Sequence, residues 1–353
     1  MDILFFIIGL FLLIIGAEWL VKGASKLASS LKISPLIIGL TVVAFGTSAP
    51  ELAVSIKSSL TGQEAIALGN IVGSNIFNVL FILGIAALIL PLTVSKQLLR
   101  LDVPLMIVLS IVVFLFSLNG VISKTEGIIL VLGLLVYIFF LIYQNRKDNA
   151  AEPDRVISES KSGKSMWAKN IILVIVGLAL LMVGSQWFLN GAIMIAQYFG
   201  VSELIIGLTI VAAGTSLPEV VTSVLAAIRG ERDIAVGNVV GSNIFNLLSV
   251  LGISALVAPG GLEISASFIN FDLPVMIAVA FACLPIFFTG GVISRGEGAL
   301  LLGYYVVYTL YLILAATQHA SLPILSTVLI YFVLPLTMIV LLMVVMQQFR
   351  RRR

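Results

Sequence analysis

Two acidic residues stand inside otherwise apolar segments of the sequence. Glu51 and Glu219 each follow a proline directly and come four residues after a threonine, Thr47 and Thr215 respectively. No lysine or arginine lies near the middle of any predicted membrane span to pair with them. An ionisable group at such a depth is costly and by default indicates an ion or substrate path. We therefore expect mobile positive ions to neutralise this pair of carboxylates.

The residues around the glutamates could supply further oxygen ligands. The proline before each glutamate cannot donate a backbone hydrogen bond, so it frees the carbonyl of the glycine four residues earlier. Glycine beside proline predicts a local break in each helix, and exposed backbone at that depth is tolerable only where it lines a polar cavity. Thr47 and Glu51 are four residues apart and share a helix face, as do Ser74 and Asn78. The set offers carboxylate, hydroxyl, amide and carbonyl oxygens without nitrogen or sulfur. Such hard ligands suit Ca²⁺, which takes about 6–8 oxygens, and also Na⁺.

Both ligand-rich segments occur twice, at one constant spacing along the chain. Gly46–Glu51 reads GTSAPE and Gly214–Glu219 reads GTSLPE, while Gly69–Asn78 and Gly237–Asn246 share the pattern GN-x-VGSNIFN. We call this spacing, which separates Glu51 from Glu219, the repeat offset. It covers five predicted helices, an odd number, so the second copy should enter the membrane from the opposite side. Inverted repeats with a substrate site near the midplane are typical of secondary transporters. Simple packing of small residues and amides between helices is the alternative reading of GSN-x-x-N.

The composition indicates that most of the chain lies in lipid. Of its 353 residues 60% are hydrophobic and 10% charged, whereas soluble domains are roughly half apolar and a quarter charged. A spanning helix needs about 20 predominantly apolar residues. By that criterion we predict spans at 3–21, 34–58, 65–90, 102–118, 121–143, 167–199, 203–228, 234–258, 271–289, 292–316 and 322–346.

These spans predict an all-α integral membrane protein with ten transmembrane helices in two inverted five-helix repeats, plus an eleventh helix. Residues 1–143 form the first repeat, 144–166 a cytoplasmic linker and 167–316 the second repeat. Residues 317–353 form the extra transmembrane helix and a basic cytoplasmic tail. The first apolar run follows Met-Asp rather than a basic segment, so we interpret it as a retained span.

The basic residues predict the orientation in the membrane. With eleven spans, all of the 20 lysines and arginines except Lys57 and Lys124 fall on one side. The positive-inside rule then places the N-terminus outside and the C-terminus in the cytoplasm. Glu18 has Lys22 four residues later, so we interpret these two as a local pair.

Other kinds of chemistry find little support in the sequence. The single cysteine, Cys283, and the single histidine, His319, lie in or beside apolar runs, which argues against a disulfide or a transition-metal site. We expect no cofactor, no enzymatic activity, no nucleic acid partner and no obligatory protein partner. The expected partners are Ca²⁺ and Na⁺ as transported substrates, and the lipid bilayer.

The duplicated motifs resemble the two α-repeats of the calcium/cation antiporter superfamily, specifically those of prokaryotic sodium/calcium exchangers. The resemblance covers about residues 1–316 and implies ten helices, with four oxygen-lined sites between the second, third, seventh and eighth. The side-chain ligands that it implies are Thr47, Ser48, Glu51, Ser74, Asn78, Thr215, Ser216, Glu219, Ser242 and Asn246. The backbone carbonyls of Ala44 and Ala212 are weaker candidates.

The chain departs from the pattern of this family in two respects. Asn246 stands where some relatives, including the branch that cotransports potassium, carry aspartate, so it favours potassium-independent transport. The extra C-terminal helix lies outside the usual ten. The linker is too short for the calcium-sensing domains of animal exchangers.

The expected function is that of an electrogenic Na⁺/Ca²⁺ antiporter in a prokaryotic plasma membrane, working by alternating access. One Ca²⁺ or several Na⁺ ions can neutralise the two carboxylates, and an empty, doubly negative site resists crossing a low-dielectric barrier. Proton/Ca²⁺ exchange, in which Glu51 and Glu219 titrate, is the alternative. A cation channel and a non-transporting scaffold are rivals from other classes.

Overall fold

The computed structural model describes residues 2–31, 33–151, 164–288, 290–333 and 335. Within these ranges the protein is helical apart from four strands of two residues each and the connecting turns. The all-α class predicted from the sequence is therefore confirmed.

The helices of the first half are joined in several places by π-helical turns. They are α1 (Asp2–Leu31), α2 (Pro35–Ile38), α3 (Ala44–Thr47), α4 (Ala49–Leu60), α5 (Glu64–Phe77), α6 (Gly84–Ile89), α7 (Val103–Ser117) and α8 (Lys124–Ala151). The π-helical turns are Gly39–Val43, Asn78–Leu83 and Leu98–Asp102. Such turns within helices frequently occur at functional sites.

The second half repeats this order of elements. Its helices are α9 (Lys164–Tyr198), α10 (Glu203–Ile206), α11 (Ala212–Gly214), α12 (Leu217–Ile228), α13 (Arg232–Phe245), α14 (Leu251–Val257), α15 (Leu273–Phe288) and α16 (Arg295–Ala316). The π-helical turns are Gly207–Val211, Asn246–Val250 and Phe268–Asp272. A last helix, α17 (Leu322–Val328), continues into a π-helical turn at Leu329–Val333.

Among the described residues, eight helical segments are long and apolar enough to cross a membrane. A ninth is obtained when the bent pair Pro35–Thr47 and Ala49–Leu60 counts as one span. The predicted span 203–228 is divided into the short helices α10, α11 and α12. Residues 334 and 336–346 of the predicted span 322–346 lie outside the described residues.

Several predicted spans, and the predicted linker, differ in their bounds from the helices of the structure. Spans 121–143 and 292–316 begin with β-strands instead of helix, and they become helical only at Lys124 and Arg295. The predicted linker 144–166 is helical at both ends, because α8 continues to Ala151 and α9 begins at Lys164. Residues 152–163 of this linker lie outside the described part of the chain.

The four short strands connect the two halves of the molecule. Strand β1 (Leu92–Thr93) pairs antiparallel with β4 (Val292–Ile293), and β2 (Val121–Ile122) pairs antiparallel with β3 (Leu262–Glu263). Each pair joins a connection of the first half to a connection of the second. The halves are thereby held together at both pairs of loops.

Helices α1 and α9 pack along each other through glycines that recur every seven residues, namely Gly9, Gly16, Gly23, Gly177, Gly184 and Gly191. A Cβ atom on Gly16 would lie 2.8 Å from the carbonyl oxygen of Gly177, and one on Gly184 would lie 2.9 Å from that of Gly9. Only glycine allows the two backbones to approach so closely, as is common between membrane helices.

One end of α1 is attached to the second half of the chain. Helix α1 packs against α12, and Arg229 Nη2 donates a hydrogen bond to Glu18 Oε1 at 2.6 Å. Ser25 Oγ donates to Glu231 Oε1, also at 2.6 Å. The predicted pairing of Glu18 with Lys22 is therefore wrong, because the carboxylate finds a closer partner from a distant part of the chain.

Candidate cation-binding site

The two buried glutamates lie just after breaks in their helices, as the sequence predicts. Ser48 (φ −80°, ψ 5°) and Ser216 (φ −88°, ψ 9°) leave helical geometry, and α4 turns 44° away from the segment before it. A proline in the first turn of α4 and of α12 suits a helix start, where its missing N–H is not needed. Glu51 and Glu219 follow in those first turns and are only 1% and 0% exposed.

Each glutamate is hydrogen-bonded by a serine from the other half of the chain. Ser216 Oγ donates to Glu51 Oε1 at 2.9 Å, and Ser48 Oγ donates to Glu219 Oε1 at 3.1 Å. Ser74 Oγ lies 3.1 Å from Ser216 Oγ. These contacts join α4, α5 and α12 with the breaks before α4 and before α12, so residues of both halves lie in one cluster.

Five oxygens of the predicted ligands are buried without a hydrogen-bond partner among the described residues. They are Oε2 of Glu51, Oε2 of Glu219, Oδ1 of Asn78, Oδ1 of Asn246 and Oγ of Ser242. Buried polar atoms in proteins almost always have a partner, so five such oxygens on side chains of one predicted ligand set require an explanation. Carboxylate and amide oxygens are the ligands that Ca²⁺ and Na⁺ prefer. This set of oxygens fits a cation.

The side-chain amides of Asn78 and Asn246 occupy equivalent positions in the helices of the two halves. Asn78 and Asn246 are each the first residue of a π-helical turn, directly after α5 and α13. Ser74 and Ser242 come one turn earlier in the same helices and are buried. Of the predicted side-chain ligands, all are buried except Thr215, which is half-buried.

The two threonines of the predicted set are held by asparagines that the sequence reasoning missed. Thr47 Oγ1 donates to Asn238 Oδ1 at 3.1 Å, and Thr215 Oγ1 donates to Asn70 Oδ1 at 3.0 Å. A hydroxyl that gives its hydrogen to an amide keeps its lone pairs for a cation. The sequence does contain a signal that could have identified Asn70 and Asn238. They recur at the repeat offset, inside motifs that were singled out because of other residues.

Those asparagines are themselves fixed by further hydrogen bonds. Asn70 Nδ2 donates to Ser55 Oγ and Asn238 Nδ2 donates to Ser223 Oγ, both at 2.9 Å. Each serine lies four residues after the glutamate of its own half, on the same helix face. Threonine, asparagine and serine thus form one chain of hydrogen bonds beside each glutamate.

The two backbone candidates differ from the side-chain ligands. The carbonyl oxygen of Ala44 accepts a hydrogen bond from the Ser48 amide at 3.0 Å. Thr47 Oγ1 lies 3.3 Å from this oxygen but gives its one hydrogen to Asn238 Oδ1, which leaves the Ala44 oxygen one lone pair for a cation. Ala212 is the first residue of α11, just before the break at Ser216.

The chain is similar to known proteins over most of its length. The profile of the family described as sodium/calcium exchanger protein matches residues 1–143 and 169–314. The inner membrane protein YrbG of Escherichia coli K12 is 38% identical over 305 residues, which cover 86% of this chain and 94% of that protein. The sodium/calcium exchanger MaX1 of Methanosarcina acetivorans is 36% identical over 341 residues, covering 87% and 97%.

A solved structure has the same fold. The sodium-calcium exchanger NCX_Mj, from crystals soaked with Na⁺ and Ca²⁺, matches with a TM-score of 0.74 at 30% sequence identity. The match covers 87% of this chain and 96% of that chain.

Proposed function

Because the chain belongs to the sodium/calcium exchanger protein family, we propose that it is a secondary-active Na⁺/Ca²⁺ antiporter. The observation that carries this proposal is the pair Glu51 and Glu219, each buried, each bonded across the two halves, and each with one oxygen lacking a partner among the described residues. Mobile cations are the natural counter-charge for such a pair. The exchangers named among its relatives and structural neighbours support the same reading.

Competition for one charged site couples the two ions in this proposal. One Ca²⁺ neutralises both carboxylates, and so do Na⁺ ions, but an empty site carries two negative charges. Moving that charge through a low-dielectric barrier is costly, so the site changes its access mainly when it is occupied. The ligand set has more oxygens than the roughly 6–8 that one Ca²⁺ takes. It can hold more than two Na⁺ ions, and we infer that the exchange is electrogenic.

The membrane arrangement is part of the same proposal. We infer ten helices in two inverted repeats, 1–143 and 167–316, joined by the linker 144–166, with residues 317–353 as an additional helix and tail. The odd number of spans between the motifs and the one-sided distribution of basic residues support this arrangement in a prokaryotic inner membrane. The N-terminus lies outside and the C-terminus inside.

Proton/Ca²⁺ exchange is the second candidate, since buried carboxyl groups can carry protons instead of Na⁺. Purified protein in sealed vesicles distinguishes the two when Ca²⁺ uptake is measured under an imposed Na⁺ gradient and, separately, under a pH gradient without Na⁺. We expect uptake with the Na⁺ gradient, an accompanying charge movement, and no need for potassium. Uptake driven by the pH gradient alone would assign the protein to the second class. Glu51→Gln vesicles provide the background for both measurements.

A further inference from the structure

A network of buried amides lies next to the glutamates and outside the predicted ligand set. Asn75 Nδ2 donates to the backbone oxygen of Asn243 at 3.4 Å, and Asn243 Nδ2 donates to the backbone oxygen of Asn75 at 3.2 Å. The same two nitrogens contact thioether sulfurs, Met276 Sδ at 3.6 Å and Met106 Sδ at 3.5 Å. Carbonyl oxygens and thioethers only accept hydrogen bonds. The NH₂ end of each amide is therefore fixed on this side.

This arrangement also fixes the opposite end of each amide, which must be its oxygen. Asn243 Oδ1 accepts from Asn78 Nδ2 at 3.0 Å, and Asn75 Oδ1 accepts from Asn246 Nδ2 at 3.1 Å. If Asn78 or Asn246 turned its amide by half a rotation, two acceptor oxygens would face each other. Their own oxygens must therefore point away from the network, and these are two of the buried oxygens without partners in the described part of the chain.

We propose that Asn75 and Asn243 are positioning residues that turn the amide oxygens of Asn246 and Asn78, respectively, toward the transported cation. This inference rests on the proposed function, since it assumes that those oxygens bind a cation. A reversed amide would present N–H groups, which repel a cation, in place of an oxygen ligand. Each positioning residue acts on the ligand of the other half, so the ligand geometry of one half depends on the other.

A double-mutant cycle in the full-length protein tests this assignment. The variants are Asn75→Ala, Asn246→Ala and Asn78→Ala, and the two double variants that contain Asn75→Ala, all measured for the KM of Ca²⁺ in Na⁺-loaded vesicles. Alanine at position 75 removes the acceptor for Asn246 but keeps the backbone oxygen to which Asn243 donates. We expect Asn75→Ala to raise the KM about three- to tenfold, as the loss of one net hydrogen bond does.

The pattern across the cycle separates positioning from packing. Asn75→Ala should have little further effect when Asn246 is already alanine, and its full effect when Asn78 is alanine, because contacting residues couple and independent ones add. An equal effect in all three backgrounds would overturn the positioning role, since a residue needed only for packing acts whatever its partner is.

The mirror cycle guards against loss of folding. If Asn75→Ala protein is not recovered as a monodisperse species, Asn243→Ala with Asn78→Ala supplies the same test, and Asn246→Ala becomes the independent background. Absence of Ca²⁺ uptake by the wild-type protein would reject the proposed function itself. Normal wild-type uptake with additive variants would reject only the positioning role.

Discussion

The two halves of the molecule are alike around the glutamates and unlike at the ends of the helices that carry them. In the site, the bond from Ser216 to Glu51 has its counterpart in the bond from Ser48 to Glu219. The asparagine and threonine contacts are likewise reciprocal. At the ends, Arg229-Gly-Glu231 follows α12 while Thr61-Gly-Gln63 follows α4. Only the first of these loops carries charges.

The charged loop is bound to α1, whereas the uncharged loop lacks an equivalent ion pair within the described chain. We call the bonds from Arg229 to Glu18 and from Ser25 to Glu231 the α1 contact. The positions related to these four by the repeat offset are Thr61, Gln186, Ile193 and Gln63, which cannot form an ion pair. Packing of α9 on α4, the counterpart of α1 on α12, is at most marginal among the described residues.

This difference indicates that the residues around the glutamates and the ends of the helices are subject to different requirements. In the proposed site both halves contribute ligands to the same cations, so their inner residues must match each other in kind and geometry. The outer ends face opposite compartments under the proposed topology, and there one end can be held closed more firmly than the other. The equivalence of the two halves at the site and the difference between their helix ends can each be tested.

Neutralising either glutamate should give the largest effect and should affect both halves equally. Glu51→Gln and Glu219→Gln each remove one charge–cation contact at low dielectric, and the loss should exceed ~1.4 kcal/mol, the equivalent of tenfold. We expect Na⁺-driven Ca²⁺ uptake in vesicles to fall below about a tenth of the wild-type rate in both. Thermal unfolding should show that both variants remain folded, because each loses a buried charge rather than a packing group.

Glu64→Gln is the matched control for this comparison, because Glu64 is a carboxylate at the start of α5 with no predicted role in the site. It should retain wild-type uptake. If one of the two site variants kept most of its activity while the other lost it, the halves would not be equivalent and the shared-site proposal would fail.

Exchanging an amide for a carboxyl group should have a smaller effect, again of equal size in the two halves. In Asn246→Asp the side chain can donate to Asn75 Oδ1 only when it is protonated, and it adds a third carboxyl group to the site. Converging like charges favour uptake of a proton or of an additional monovalent cation. We expect a several-fold potassium stimulation or a steeper pH dependence of Ca²⁺ uptake, neither present in the wild type.

Asn78→Asp provides the comparison for that variant, because Asn78 makes the same bond to Asn243. Equal changes in both variants would support equivalent halves. A wild-type protein that already requires potassium would contradict the assignment of Asn246, and an unchanged Asn246→Asp variant would place that side chain outside the ion path.

Sequence reasoning succeeded where local chemistry determines the outcome. The breaks before Glu51 and Glu219 follow from the prolines, and the helices follow from long apolar runs. It failed where the outcome depends on which distant residue comes close. Glu18 has an acceptable partner in Lys22, and nothing local indicates that Arg229, 211 residues away, is closer in the fold. The orientation of Asn78 likewise depends on Asn243, which only the folded structure brings to it.

The smallest expected effect concerns the α1 contact, which distinguishes the two ends. Arg229 and Glu18 are 55% and 43% exposed as side chains, and exposed ion pairs contribute about 0–1 kcal/mol. If the end of α12 must separate from α1 when the site opens there, Arg229→Gln should favour opening at that end by at most about fivefold.

Labelling of single cysteines can measure this shift and the orientation together. With Cys283 replaced by alanine, a cysteine at the buried Ala226 reports on the α12 end, and one at Ser58, its counterpart at the repeat offset, reports on the α4 end. A membrane-impermeant thiol reagent should reach the first from the cytoplasm and the second from outside. Arg229→Gln should raise the labelling rate at position 226 by about two- to fivefold and leave the rate at position 58 unchanged or lower, because opening of one end excludes opening of the other.

A high salt concentration should reproduce part of this effect in the wild-type protein, since salt screens the exposed ion pair between Arg229 and Glu18. Equal acceleration at both positions would mean that Arg229 stabilises the whole fold rather than one end, and labelling of both from the same side would contradict the inverted arrangement of the halves.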